Sequence, residues 1–239
     1  MRAVDLAAAR KVPLFAALDE RQLGRLMRHA KVQSYGAGTI LFEEGEEPDH
    51  LHVLLKGVVE LYMAFGPREC GILLLSPGDI FMPAASLFKE PYLNSARVLR
   101  RARVVMLDVK VVRAEAVRST GLALHLSRAL AGQFRMAVRQ IIDLKCRSAP
   151  QRLASFLLRL VDESSLSASA ELPVSKRSLA ARVGMSAETL SRTLQTLAGH
   201  GLQVRGTRVI VRDRQRIEAF AGPRLYREDG EAGLDVHAF

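Results

Sequence analysis

Cysteine is scarce in this sequence. Only Cys70 and Cys146 occur among 239 residues, too few for a disulfide framework, a four-thiolate metal site or an iron–sulfur cluster. Reduced and mostly inert thiols are expected at both positions. The sequence leaves open oxidation of Cys70 and a redox response at Cys146.

Long apolar runs are also absent. The best candidate, Leu51 to Phe65, is interrupted by Lys56 and Glu60, whereas a membrane helix needs roughly 18 consecutive apolar residues. Charged side chains at positions 2, 5, 10 and 11 interrupt any apolar core of a secretory signal. We therefore expect a cytoplasmic protein without a membrane partner.

Recognisable enzyme chemistry is missing as well. The sequence offers no paired carboxylates, nucleophile–base set or metal-binding motif, so we predict neither a catalytic site nor a metal site. Gly36 and Gly38 lack the third glycine of a dinucleotide-binding motif, and they indicate a turn.

Basic charge, by contrast, is plentiful and unevenly distributed. Residues 1–110 carry a net charge of +2, residues 111–212 carry +10 and residues 213–239 carry −2. This asymmetry indicates a phosphate-binding module attached to a nearly neutral module with another task. A merely solvated basic surface is the alternative.

Short apolar runs, some with a period of two, fill the region from Tyr35 to Met106. Two of these runs, Leu51–Lys56 and Val58–Met63, are predicted as separate strands. Glycines at positions 45, 57, 66, 71 and 78 punctuate the region at spacings suited to turns. Many short strands without long intervening helices predict an antiparallel β jelly roll, preceded by a helical segment from Leu14 to Ala30.

A helical period replaces this pattern from about Val111 onwards. Apolar residues then recur with heptad spacing and predict a dimerisation helix with the following seam: Leu130, Phe134, Ala137, Ile141 and Leu144. A core helix of a single chain would show the same two heptads, so both interpretations stand on this pattern alone.

The segment from Ser175 to Leu197 predicts a helix-turn-helix. Gly184 marks the turn, and Ser186 is a candidate N-cap of the second helix. The stretch Val204–Val211 predicts a two-stranded wing. The inward face of the second helix is predicted to contain Leu190, Leu194 and Leu197.

Assigning those leucines to the core fixes the exposed face of the second helix. Four polar side chains then form one stripe, which we call the base-reading stripe because it could contact base edges in a major groove: Glu188, Ser191, Arg192 and Gln195. Nearby cations are candidate phosphate clamps, although each could equally be a solvated charge: Lys176, Arg177, Arg182, Arg205 and Arg208.

A glycine-punctuated jelly roll, a long dimer helix and a winged helix-turn-helix together resemble the Crp/Fnr superfamily of bacterial transcription regulators. The string Gly38-Thr-Ile-Leu-Phe-Glu-Glu-Gly-Glu46 is similar to its effector domain. Glu188-Thr-Leu-Ser191-Arg192 matches the E-x-x-S-R signature of its Fnr branch, which also contains Dnr-like members. The resemblance implies a homodimer that binds an inverted repeat of the TTGAT type and contacts RNA polymerase as an activator, although the sequence itself leaves repression open.

The residues with which this family binds a cyclic nucleotide are replaced. The family uses a Gly-Glu pair for the ribose and an Arg-Ser pair for the cyclic phosphate. Aligned on Ser95, the glutamate position holds Ala84 and the arginine position holds Asn94, so we expect that cAMP does not bind. Arg97 is the nearby cation that could compensate.

The sequence does not identify a ligand among the other effectors of the family. The Fnr iron–sulfur cluster lacks its thiolates, and the CO-sensing haem branch uses a Cys and a His where Met82 and Ala84 stand. Resemblance to Dnr-type regulators implies haem-linked nitric oxide sensing, so haem stays an alternative cofactor. Its candidate ligands are His29, His50, His52, His125, His200 and His237.

These expectations define an α+β protein in four segments. Residues 1–110 are predicted to form a jelly roll of the cyclic-nucleotide-binding type, 111–148 the dimerisation helix, 149–222 the winged helix-turn-helix and 223–239 a tail. The predicted function is sequence-specific transcription regulation. The alternatives are a signalling protein whose helix-turn-helix contacts protein, and a non-specific architectural DNA binder.

Overall fold

The computed structural model describes residues 9–16, 18–66, 68–162, 164 and 168–223. The chain divides into two compact units. The first contains residues 1–137 and 173–190, and the second contains residues 138–172 and 191–239. Antiparallel sheets and helices together confirm the predicted α+β class. The boundary between the units falls inside the segment predicted as the dimerisation helix, so this division differs from the four predicted segments.

The elements follow in chain order. Helices α1 (Pro13–Ala16) and α2 (Glu20–Arg28) precede strands β1 (Lys31–Tyr35), β2 (Ile40–Phe42), β3 (His50–Phe65) and β4 (Arg68–Leu75). Next come α3 (Pro83–Phe88), β5 (Ser95–Asp108), α4 (Val109–Arg118) and α5 (Thr120–Cys146). The remaining elements are α6 (Ala149–Asp162), β6 (Ser169–Glu171), α7 (Lys176–Val183), α8 (Ala187–Gly199), β7 (Leu202–Arg205), β8 (Arg208–Val211) and α9 (Arg214–Ala221).

Strands β3 and β5 form the centre of the β domain. The sheet order is β1-β5-β3-β4, and β2 also pairs with β5. Because successive strand side chains point to opposite faces, β3 and β5 contribute to two cores. The inner core lies within the β domain and includes Phe42, Leu54, Phe81, Tyr92 and Val104. The outer core lies against the helices and includes Phe15, Leu26, Leu51, Leu107 and Leu122.

Gly57 does not end a strand, so the prediction of two short strands separated by a turn was wrong. Strand β3 continues through Gly57, where its register with β5 shifts. A Cβ at Gly57 would lie 2.5 Å from the carbonyl oxygen of Arg101 and 2.6 Å from the Cα of Ala102. The glycine is therefore needed for the close crossing of two backbones.

Gly71 was also wrongly predicted as a turn residue. It lies inside β4, where a Cβ would approach Glu60 Oε1 to 2.5 Å. The glycine makes room for the buried carboxylate of Glu60.

Side-chain caps explain where the helices around the β domain begin. The predicted helical segment from Leu14 to Ala30 is interrupted, because Asp19 caps α2 in a capping box with Gln22. Ser119 separates α4 from α5, and its Oγ accepts a hydrogen bond from the Leu122 amide at 3.2 Å. No helix in the described ranges is long and apolar enough to cross a membrane.

The second unit contains a small three-stranded sheet in the order β6-β8-β7. The predicted wing is confirmed as β7 and β8, which turn at Gly206 with φ +60°. Strand β6 pairs with β8 from Ser169 opposite Ile210 to Glu171 opposite Arg208.

An ion-pair cluster fixes the C-terminal end of α5 to α6, and we call it the α5 clamp. Asp143 is paired with Arg147 and, at 3.4 Å, with Arg159. Arg147 also donates hydrogen bonds to Ser155 Oγ at 2.9 Å and to the carbonyl oxygen of Pro223 at 2.7 Å. Because Asp143 is buried and multiply paired, the clamp orders this helix end more firmly than a surface ion pair would.

Replacing Gly57 with alanine is expected to lower the free energy of unfolding by about 3 kcal/mol or more, because both φ +99° and the Arg101 carbonyl oppose a Cβ. The matched control is Gly38→Ala, where φ is +87° but no atom lies within 4 Å of the added Cβ. That control should lose only about 1–2 kcal/mol. Urea denaturation followed by circular dichroism measures both, and equal losses would contradict the proposed steric role.

Candidate DNA interface and effector domain

The helix-turn-helix begins with α7, which has a side-chain cap at its start and buries one apolar face. Ser175 Oγ accepts a hydrogen bond from the Ser178 amide at 3.1 Å. Leu179, Ala180 and Val183 are buried. The turn then passes through Gly184 at φ +72°, which confirms its predicted place.

Helix α8 begins at the predicted cap. Ser186 Oγ accepts a hydrogen bond from the Thr189 amide at 3.1 Å. Leu190 and Leu197 are buried as predicted, whereas Leu194 is only partly buried and Thr193 is buried instead. The inward face of α8 is therefore slightly rotated from the prediction.

The base-reading stripe lies on the exposed side of α8. All four members are exposed to solvent: Glu188, Ser191, Arg192 and Gln195. A helix that exposes a carboxylate, a hydroxyl, a guanidinium and an amide along one stripe can present donors and acceptors to base edges.

The candidate phosphate clamps are only partly described. Lys176, Arg205 and Arg208 are exposed. Arg205 and Arg208 are directly opposite each other in the β7–β8 pairing, and Arg208 Nη2 also lies 3.3 Å from Ser169 Oγ. The side chains of Arg177 and Arg182 lie outside the described part of the structure.

The predicted seam of α5 is unpartnered in the single chain. Phe134 is 69% exposed, Ile141 53% and Leu144 63%. Ala137 is exposed and Leu130 is partly buried. Several large apolar side chains exposed on one helix face are unusual for a monomer.

Arg97 is already neutralised inside the β domain. Its guanidinium donates to Glu60 Oε2 at 3.1 Å, pairs with Glu69 Oε2 at 2.9 Å and lies 4.4 Å from the ring centre of Tyr62. Burial alone lowers the pKa of Arg97, but the two carboxylates raise it overall. The cation that could have replaced the missing arginine thus has two anionic partners.

The other residues predicted at the effector position have different surroundings. Asn94 is buried and donates weakly to Met82 Sδ at 3.6 Å, while its Oδ1 lacks a partner among the described residues. Ser95 Oγ accepts a hydrogen bond from the Glu44 amide at 3.0 Å. Ala84 lies on the exposed side of α3. The helical period of α3 buries Ala85 and Ser86 instead.

His52 is the buried histidine of this domain. Its ring centre lies 5.7 Å from those of Phe42 and Phe81. Burial, with a smaller contribution from nearby His50, lowers the pKa of His52 to about 4, so the ring is neutral at pH 7. No cluster of three His, Cys, Asp or Glu side chains suited to a metal ion occurs in the described ranges. Cys70 and Cys146 are exposed and free.

Known protein families match both parts of this architecture. Residues 32–118 match the cyclic nucleotide-binding domain family, and residues 151–220 match the Crp-like helix-turn-helix domain family.

The chain is also similar to curated relatives over most of their length. The CRP-like cAMP-activated global transcriptional regulator of Mycobacterium tuberculosis is 25% identical over 85% of this chain and 94% of its own length. The nitrogen fixation regulation protein FixK of Azorhizobium caulinodans is 28% identical over 74% of this chain and 73% of its own length. The structure of FixK2 from Bradyrhizobium japonicum superposes with a TM-score of 0.73 at 25% identity, covering 81% of this chain and 98% of that one. The chain therefore belongs to the Crp/Fnr family and is a DNA-binding transcription regulator with a helix-turn-helix.

Proposed function

We propose that this regulator binds, as a homodimer, an inverted repeat of the TTGAT type and contacts RNA polymerase there. The exposed base-reading stripe on the capped helix α8 carries this proposal. Its E-x-x-S-R sequence supports assignment to the Fnr branch, with Arg192 gripping a guanine and Glu188 accepting a hydrogen bond from a cytosine amine. Such a protein acts in the cytoplasm, where the chromosome lies.

Substitution Arg192→Ala is expected to cost about 1–3 kcal/mol of operator binding and to relax the preference at one guanine of each half-site. Arg205→Ala is the comparison variant, because a phosphate clamp should weaken binding to all sequences alike. Selection of binding sites from a random DNA library reports both effects. An Arg192 variant that kept the wild-type guanine preference would show that another side chain reads this base, and wild-type binding without any sequence preference would favour an architectural role.

The exposed seam of α5 supports the homodimer. A second copy of this helix would cover Phe134, Ile141 and Leu144, with heptad spacing that suits a coiled coil. Two recognition helices joined in this way can reach two half-sites one helical turn of DNA apart.

Placing a charge at the seam with Ile141→Glu should dissociate the dimer and abolish tight operator binding, because a buried carboxylate at this interface would have no partner. Ile141→Leu keeps an apolar side chain of the same size and should remain dimeric. Sedimentation velocity and operator gel shifts compare the two variants. A dimeric Ile141→Glu protein would place the interface elsewhere.

The effector domain is proposed not to respond to cAMP. Met82 adopts φ +36°, a left-handed conformation that favours glycine. If Met82 marks the glycine of the family's Gly-Glu pair, Pro83 replaces the glutamate, and the alternative alignment on Ser95 places Ala84 there. Neither residue supplies a carboxylate, and Arg97 is held by Glu60 and Glu69.

Calorimetric titration of the purified dimer with cAMP should show no micromolar binding. Burying the cyclic phosphate without a free guanidinium is expected to weaken affinity roughly 100-fold or more relative to a site that has one. A cAMP-binding member of the family, titrated in parallel, checks the assay. Micromolar affinity would mean that Arg97 leaves its carboxylates, and it would restore a nucleotide-sensing role.

A further inference from the structure

A cavity outside the inner core lies between the middle of α5 and the Ser76–Asp79 turn. It has a volume of about 220 Å³. Leu14, Leu75, Ile80 and Met136 supply apolar wall, and Asp79 and His125 add two titratable groups. Arg97, Asn94 and Ser95 are not part of it, so this space is distinct from the site at which the family would bind a cyclic nucleotide.

Two hydrogen bonds hold the wall of the cavity in place. Gln133 Nε2 donates to the carbonyl oxygen of Ile80 at 2.9 Å and ties α5 to the turn. Asp79 Oδ2 accepts a hydrogen bond from the Ser76 amide at 2.6 Å. Within the described ranges this carboxylate has no other hydrogen-bond partner, so its second oxygen can accept from a ligand.

The two titratable groups are partly desolvated. Burial raises the pKa of Asp79, although the Ser76 amide opposes this effect. Burial and the charge of Arg128 lower the pKa of His125. The two titratable side chains that line the cavity are thus the carboxyl group of Asp79 and the imidazole of His125, whereas Arg128, whose charge acts on His125, does not line it. A carboxylate in the wall favours a cation or a neutral donor over an anion.

Gly132 is the position on α5 where the cavity leaves room for a side chain. This helical glycine lines the cavity, and an added Cβ would meet no atom within 4 Å. At 100° per residue, the cavity-lining positions of α5 point roughly 115° away from its seam. The proposed dimer therefore does not use this face of α5 as its seam.

We propose that this cavity binds a small amine, with a ring or short hydrocarbon against the apolar wall and the ammonium group at Asp79. A dry cavity of about 150 Å³ is sufficient for benzene, so a single ring with a short amino side chain fits the available volume. An amine satisfies the open acceptor of Asp79, whereas a carboxylate or phosphate would be repelled.

The test uses benzylamine as the probe and the full-length protein, with binding followed by saturation-transfer NMR. Wild-type protein should bind benzylamine at millimolar concentration and bind phenylacetate at least tenfold more weakly. Gly132→Leu should fill the cavity and reduce benzylamine binding at least tenfold. Gly24→Leu is the matched control, because Gly24 is an exposed helical glycine on α2 with equal space for a side chain.

Asp79→Asn provides a second, independent measurement that does not depend on filling the cavity. Asparagine keeps an acceptor for the Ser76 amide, so the turn should persist. Benzylamine affinity should fall severalfold, while affinity for neutral benzyl alcohol should not fall. Undiminished benzylamine binding by both Gly132→Leu and Asp79→Asn, equal binding of phenylacetate, or no binding by wild type would overturn the proposal. No DNA is involved in this readout, so its result is separate from the proposed regulatory function.

Discussion

The pairing of β3 with β5 is the constraint on which the rest of the effector domain depends. The two strands stay paired from His50 opposite Asp108 to Tyr62 opposite Ser95. Their length lets one strand pair contribute to both the inner and the outer core, so the helices and the interior of the domain share one support. This arrangement is possible because Gly57 lets the backbones approach where the register shifts.

A buried ion pair also contributes to the interior of the effector domain. Glu60 is buried, and its carboxylate requires both the guanidinium of Arg97 and the space left by Gly71. Removing one member of a buried ion pair leaves an uncompensated charge, which typically costs about 3–5 kcal/mol. The same pair that stabilises the sheet therefore also occupies the guanidinium of Arg97.

Local patterns predicted the DNA-binding part well and the effector part less well. Ser186, Gly184 and the buried leucines of α8 act over a few residues, so their roles are visible in the sequence. The partnership of Glu60 with Arg97 joins residues that are distant along the chain, and strand periodicity alone carries no signal for it. Glycine was the residue type whose structural role the sequence pattern did not decide. It marks turns and close approaches alike: at Gly57 the approach is to the backbone of another strand, and at Gly71 it is to the side chain of Glu60.

The α5 clamp has a mechanical consequence. Asp143, Arg147 and Ser155 join the end of α5 to the following helix, and Arg147 also donates to the carbonyl oxygen of Pro223. A change in the direction of residues 138–146 would therefore have to move α6 as well or break these contacts.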